Sequence, residues 1–267
     1  AGLGFGFTTQ TMFLAVNILD RYLGMVPVKL ETELQLLGVA SMFIAAKYEE
    51  IFYPNLMDMV HVTGGAYTRA DIARMEGLIL AALSFSLTVP TPFDFLSRFL
   101  TATESSPLAA DGGAPGMELN AEAPQCKDLA LYLLELTLTE YTMRRYLPSV
   151  LAAASLHVAL MTLGEDTKIA VLALVTGYPD PEAPDLSACV DAIAKLHRDA
   201  VSSPLQVVRT KFGSESRGQV SSISPLPPNT PKRKASEPCK VRSVDAVTRH
   251  LKRLRAASSS SNSEALP

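Results

Sequence analysis

Apolar residues recur at helical spacing along the first 205 positions, so the chain is predicted to be all-α. Met12, Ala15, Val16, Leu19 and Leu23 follow i, i+3, i+4, i+7 and i+11, with Thr9 placed to cap the helix and Pro27 to end it. From Leu36 to Ala46 the residues are apolar on every side, the pattern of a helix buried in the middle of a bundle. Lys47-Tyr48-Glu49-Glu50 then marks where that helix emerges. Pro54 precedes a short helix over Leu56 to Val60. Thr68, with Asp71 three residues on, opens another whose inward face is Ile72, Met75, Ile79 and Leu83, and which stops at Pro90 and Pro92.

Residues 101–123 are small, polar and Gly/Pro-containing without periodicity, and are predicted to form a loop between two bundles. Helical pattern resumes near Pro124 and gives Leu129–Leu138, Pro148–Leu163, Thr167–Val175 before Gly177, and Leu186–Val201. After Gly213 it stops. The Ser, Pro and basic residues beyond cannot bury enough apolar surface to offset chain entropy, so a disordered tail is expected. The expected layout is a first bundle over 1–100, a loop over 101–123, a second bundle over 124–213 and a basic tail over 214–267.

Composition sharpens this picture in two ways. The net charge of −3 conceals a split: residues 218–267 hold nine Lys or Arg against three Asp or Glu, while residues 1–217 hold fifteen against twenty-four. An acidic body with a basic Ser/Pro-rich tail is a frequent layout of regulated nuclear proteins. Cys126, Cys189 and Cys239 are odd in number and lack CxxC spacing or neighbouring histidines, which argues against a disulfide framework and a zinc site and for a reducing compartment. The longest apolar run is about a dozen residues, short of the roughly 20 that span a bilayer, and no secretory or transit pattern opens the chain. His61, His157, His197 and His250 lie far apart, and there is no phosphate-binding Gly-rich loop, Gly-x-Ser-x-Gly elbow or kinase signature. No enzyme activity, cofactor or metal is therefore expected.

Asn17-Ile18-Leu19-Asp20-Arg21-Tyr22-Leu23, Leu34-Gln35-Leu36-Leu37-Gly38, Lys47-Tyr48-Glu49-Glu50, Ala66-Tyr67-Thr68 and Met75-Glu76 leading to Leu87 and Pro90 form an ordered series. Together they resemble the first cyclin box of the mitotic cyclins. Glu135-Leu136-Thr137-Leu138, Tyr146-Leu147-Pro148-Ser149 and Lys211-Phe212 resemble the second box. Lys47-Tyr48-Glu49-Glu50-Ile51-Phe52, Pro54-Asn55 and Met143 lean towards the B type and Tyr146-Leu147-Pro148-Ser149 towards the A type, and the resemblance favours the B type. The helix that precedes Asn17 in these cyclins, with its tryptophan, has no counterpart here, so a four-helix, N-terminally truncated first box is expected.

The resemblance implies a regulatory subunit that binds and activates a cyclin-dependent serine/threonine kinase at G2/M, in nucleus and cytoplasm. In that family the first box presses on the kinase helix whose glutamate pairs with the catalytic lysine. Lys47 and Glu76 would make charge-assisted hydrogen bonds to the kinase backbone, over an apolar bed of Ile44, Tyr48, Leu80, Phe85 and Leu87. Gln35 matches the glutamine of a substrate groove whose remainder lies on the absent helix. Asp20-Arg21 matches an internal ion pair. In the tail, Thr230-Pro231-Lys232-Arg233 suits a proline-directed kinase and Ser224-Pro225 is a weaker copy. Lys232, Arg233 and Lys234, with Lys252, Arg253 and Arg255, are candidate importin contacts, and Val244, Val247, Leu251 and Leu254 share one face if Ser243 caps a helix. Two rivals remain: a cyclin-fold transcription-associated protein that binds nucleic acid, against which the acidic body speaks, and a non-functional truncated product. Neither a membrane nor direct nucleic-acid contact is expected.

Overall fold

The computed structural model describes residues 5–27, 30–104, 123–165, 169, 172, 175–178 and 183–227. All regular structure among them is helical, arranged as two bundles, each around a central helix that is apolar on all sides.

In the first bundle, α1 (Thr9–Met25), α2 (Leu30–Glu49), α3 (Leu56–Val62) and α4 (Arg69–Ala82) follow in order. The central helix is α2, where Leu36, Leu37, Ala40, Phe43, Ile44, Ala45 and Ala46 are buried. The start predicted at Thr68 is a capping box, and a second, at Asn55, was not predicted. Asn55 and Asp58 close the start of α3, and Thr68 accepts from the Asp71 amide while the Asp71 carboxylate accepts from Thr68. Ile72, Met75, Ile79 and Leu83 all face the core as expected.

α1 departs from its predicted single face. Thr8, one residue before the predicted cap, closes its start. Leu14, Ala15, Ile18 and Tyr22 face α2, whereas Phe13 joins the core of the second bundle and stacks on Phe93 at 6.3 Å. The helix lies at the seam of two cores, so no one apolar stripe describes it. Asp20 and Arg21 correct the expected internal pair: they point apart. Asp20 meets Arg144 of the second bundle at 3.2 Å, and Arg21 donates to the Ser86 carbonyl at 2.8 Å.

The second bundle starts earlier than the sequence suggested. α5 (Pro92–Glu104) was unforeseen. Thr91 and Asp94 form its capping arrangement, Pro92 occupies its first turn, and Leu96 and Phe99 are buried in the second core. α6 (Ala123–Thr137), the all-apolar α7 (Pro148–Leu163) and α8 (Pro184–Asp199) complete it, and Ile169, Leu172 and Val175 are helical within the predicted 167–175 stretch, as is Thr176 just past it.

Order also continues past the expected boundary at 213. After the short α9 (Val207–Lys211), 3₁₀ turns at Glu215–Arg217 and Val220–Ser222 carry a strap across α6. Phe212 and Val220 are fully buried, and Ile223 and Leu226 pack behind them. Lys211 reaches the buried Glu135 carboxylate at 2.7 and 2.9 Å, Arg217 reaches Asp128 at 3.0 Å, and both cations lie over the Phe212 ring. Polar letters misled the boundary because these few apolar anchors and ion pairs hold a mostly exposed segment.

Candidate functional site

The apolar helix α2 ends at Lys47, where the chain leaves the core. The Lys47 ammonium forms an ion pair with Glu76 of α4 and lies 4.3 Å from the Phe43 ring centroid. Two residues 29 apart in sequence are thus brought into direct contact at a partly exposed site, which a sequence pattern could not show.

Around this pair the chain leaves large apolar groups in water. Tyr48 is exposed and its hydroxyl is hydrogen-bonded to that of Thr88, which ties the end of α2 to the linker after α4. The turn after α2 exposes Ile51 by 88% and Phe52 by 94%, with Tyr53 and Met57 also exposed. At the end of α4, Ser84 and Phe85 adopt φ of 51° and 57°, left-handed values that cost a residue with a Cβ roughly 1–2 kcal/mol. The backbone is held there by Phe85 N–H donating to the Leu80 carbonyl at 2.9 Å, and the Phe85 ring stands out, 71% exposed. Such strain persists only where surrounding structure enforces it.

Carboxylates flank the patch. Glu50 accepts from the Thr11 hydroxyl at 2.5 Å, the Thr8 amide at 2.8 Å and the Thr8 hydroxyl at 3.0 Å. These donors, the Thr11 hydroxyl foremost, hold it below the usual carboxylate range. Glu49 is pushed the other way by burial and by the neighbouring Asp94 and Glu50 charges.

Of the residues expected to meet a kinase, Lys47, Glu76, Tyr48 and Phe85 are brought to this surface, and Leu80 and Leu87 are half-buried at its base against the core. Ile44 is corrected: at 2% exposure it belongs to the core and supports the bed from beneath, because α2 remains buried for another half-turn before it emerges. Ile51, Phe52 and Tyr53 were missed, since an apolar run after a buried helix reads as more core. Gln35 lies exposed beside exposed Leu34 in the first half of α2, and Ser224 is exposed on the strap, outside any helix. Thr230, Lys232, Arg233, Lys234, Lys252, Arg253 and Arg255 lie outside the described residues.

Among the described residues no His, Cys, Asp and Glu group could hold a metal ion, and no helix is long and apolar enough to cross a membrane. His197, on α8, is buried against Tyr132 in an edge-to-face contact with ring centroids 5.8 Å apart. Neither ring nitrogen has a hydrogen bond of acceptable geometry, the Ile223 backbone being a polar neighbour that favours the proton without making one. Burial pushes this imidazole down to about 4. It is a core histidine.

Residues 3–88 match the family description "Cyclin, N-terminal domain" and residues 90–226 match "Cyclin, C-terminal domain". Their junction at 88–90 coincides with the division of the two cores before α5. A G2/mitotic-specific cyclin-A of Hydra viridissima is 39% identical over 81% of this chain and 47% of that protein. A G2/mitotic-specific cyclin-B of Marthasterias glacialis is 38% identical over 89% and 56%. The chain spans about half the length of the curated relatives it matches. A viral cyclin from herpesvirus saimiri, at 18% identity, superposes with a TM-score of 0.56 over 72% of this chain and 77% of that one, a likeness of fold.

Proposed function

Since this chain belongs to the cyclin family, we propose that it is a non-catalytic regulatory subunit, which binds and activates a cyclin-dependent serine/threonine kinase in G2/M control. The observation that supports this best is the surface where α2 emerges: a Lys–Glu pair beside Tyr48, Ile51, Phe52 and Phe85, all held out of the core. Exposed single apolar residues are ordinary, but several large ones beside a partly exposed charge pair have the composition of an interaction hot spot. Activation requires tighter contact with the active arrangement of the kinase than with the inactive one, since equal affinity would shift nothing. Lys47 and Glu76 would supply part of that difference by exchanging their mutual pair for hydrogen bonds to kinase backbone.

Function in nucleus and cytoplasm, importin contacts through Lys232–Lys234 and Lys252–Arg255, and phosphorylation at Thr230 and Ser224 belong to the same proposal and rest on the sequence. Lys47→Ala with Glu76→Ala tests the interface. An ion pair at a partly open site contributes about 0–1 kcal/mol, so the melting curve should barely move while kinase activation is lost. Full histone-type kinase activity with the double variant would overturn the proposed surface.

A further inference from the structure

A groove of about 430 Å³ opens between the start of α1, the end of α2 and the linker into α5. It is lined by the apolar Leu14, Leu87, Val89 and Pro90 and by the acids Glu49 and Asp94. One Asp94 oxygen is taken up by the Thr91 amide and hydroxyl. Neither Glu49 nor Asp94 is paired with a cation among the described residues, and the charges that act on Glu49 are both negative. Two acids beside half-buried Leu87 and Val89 and exposed Pro90 call for an occupant that is cationic and apolar at once.

The chain carries such a segment. In residues 243–255, Val244, Val247, Leu251 and Leu254 recur at i, i+3, i+7 and i+10, interleaved with Lys252, Arg253 and Arg255 against the single acid Asp245. The other basic run, Pro231 to Lys234, has cations but no large apolar residue, so it could neutralise the acids while leaving the apolar lining uncovered. Reach is no obstacle. Lys252 lies twenty-five positions beyond Pro227. A span of that length can extend up to about 85 Å, whereas a folded body of this size is only about 45 Å across.

We propose that the groove is a docking site for the chain's own basic–apolar segment around Leu251–Arg255, so that the acidic body holds its basic tail. Tyr48 and Leu87 belong both to the groove and to the surface proposed above for the kinase. On that reading, tail and kinase compete. The tail is then an internal brake on association, released by whatever neutralises or captures its cations.

The test uses the full chain, an equal mixture of unlabelled and ¹⁵N-labelled protein, and a carbodiimide that joins a lysine amine to a carboxylate with loss of water. Lys252 should couple to Glu49 or Asp94 within one molecule. Yield should fall at least tenfold in 1 M salt, where the Debye length is about 3 Å, and in the Glu49→Gln/Asp94→Asn variant. Leu251→Asp with Leu254→Asp should also abolish the coupling although every cation remains. Coupling spread evenly over other carboxylates, mixed-label cross-links in the roughly one-half share that random pairing of separate chains would give, or coupling made by Lys232 and Lys234 instead would overturn the docking.

A second measurement reads the competition. If the tail fills the groove nine-tenths of the time, Lys252→Glu, Arg253→Glu and Arg255→Glu together should raise kinase affinity about tenfold. Unchanged affinity would overturn the brake. A chain that cross-links as expected but binds no kinase would leave the docking standing and sink the proposed function, whereas kinase binding without the cross-link would do the reverse.

Discussion

Phe85 and His197 show how single residues carry opposite burdens. Phe85 keeps its Cβ in a left-handed backbone and its ring in water, which costs the free chain stability, and on the proposed function a bound kinase would cover that ring. Phe85→Gly should therefore melt at the same temperature or higher, yet bind kinase at least tenfold more weakly. A variant that melts lower and binds normally would show that the ring serves the fold. His197 makes stability depend on pH. Its folded value of about 4 lies below the ordinary 6.5, so between these the unfolded chain binds the extra proton. Stability is complete above pH 6.5 and is lost as pH falls towards 4, by about 3 kcal/mol for this shift of about 2.5. His157, also pushed down by burial, adds in the same direction. Urea midpoints at pH 7.5 and 5 should differ clearly, and His197→Leu should narrow the difference. An unchanged gap would mean that other groups control the acid transition.

Among the elements, the strap after α8 is held in part by a partly buried charge pair. Glu135 is 1% exposed, and burial raises its carboxyl above the usual range in spite of the Lys211 hydrogen bonds that lower it. Removing one partner of such a pair leaves a buried charge uncompensated, typically at 3–5 kcal/mol. Lys211→Met should therefore cost about 3 kcal/mol in urea unfolding. Because a raised carboxyl pKa means that the folded state holds its proton longer, the loss should shrink as pH falls through that value towards 4.5. Glu135→Leu with Lys211→Met should recover most of the stability, since an apolar replacement leaves no charge behind. If Lys211→Met is neutral at pH 7.5, the strap is held by Phe212 and Val220 alone. α5 teaches a different lesson about elements. Its Thr91-Pro92-Phe93-Asp94 start and its Phe93, Leu96, Phe99 and Leu100 spacing are visible in the letters, but two prolines read as a terminator hid a helix that begins on one of them.

For the whole molecule, the division into two cores decides where it can be cut. Leu96 and Phe99 belong to the second core, so residues 90–227 should fold as a unit, while a fragment starting at 101 loses that wall. Circular dichroism melts of the two fragments should show a cooperative transition for the first and a shallow one for the second. Equal cooperativity would mean that α5 is dispensable.

Much of this molecule was determined by the order of its residues. The helical class, the all-apolar central helix over Leu36–Ala46, the capping box at Thr68 and the inward face of α4 follow from local spacing, because a helix places i, i+3 and i+4 together whatever surrounds it, while the family shows in ordered runs of matching residues. The tertiary structure alone decided what depends on residues far apart in sequence meeting in space. It paired Lys47 with Glu76, sent Asp20 to Arg144, split α1 between two cores, sank Ile44 and left Phe52 in water. Burial is a property of neighbours, and a linear pattern records only which side chains could be buried, not which ones the other elements arrive to cover.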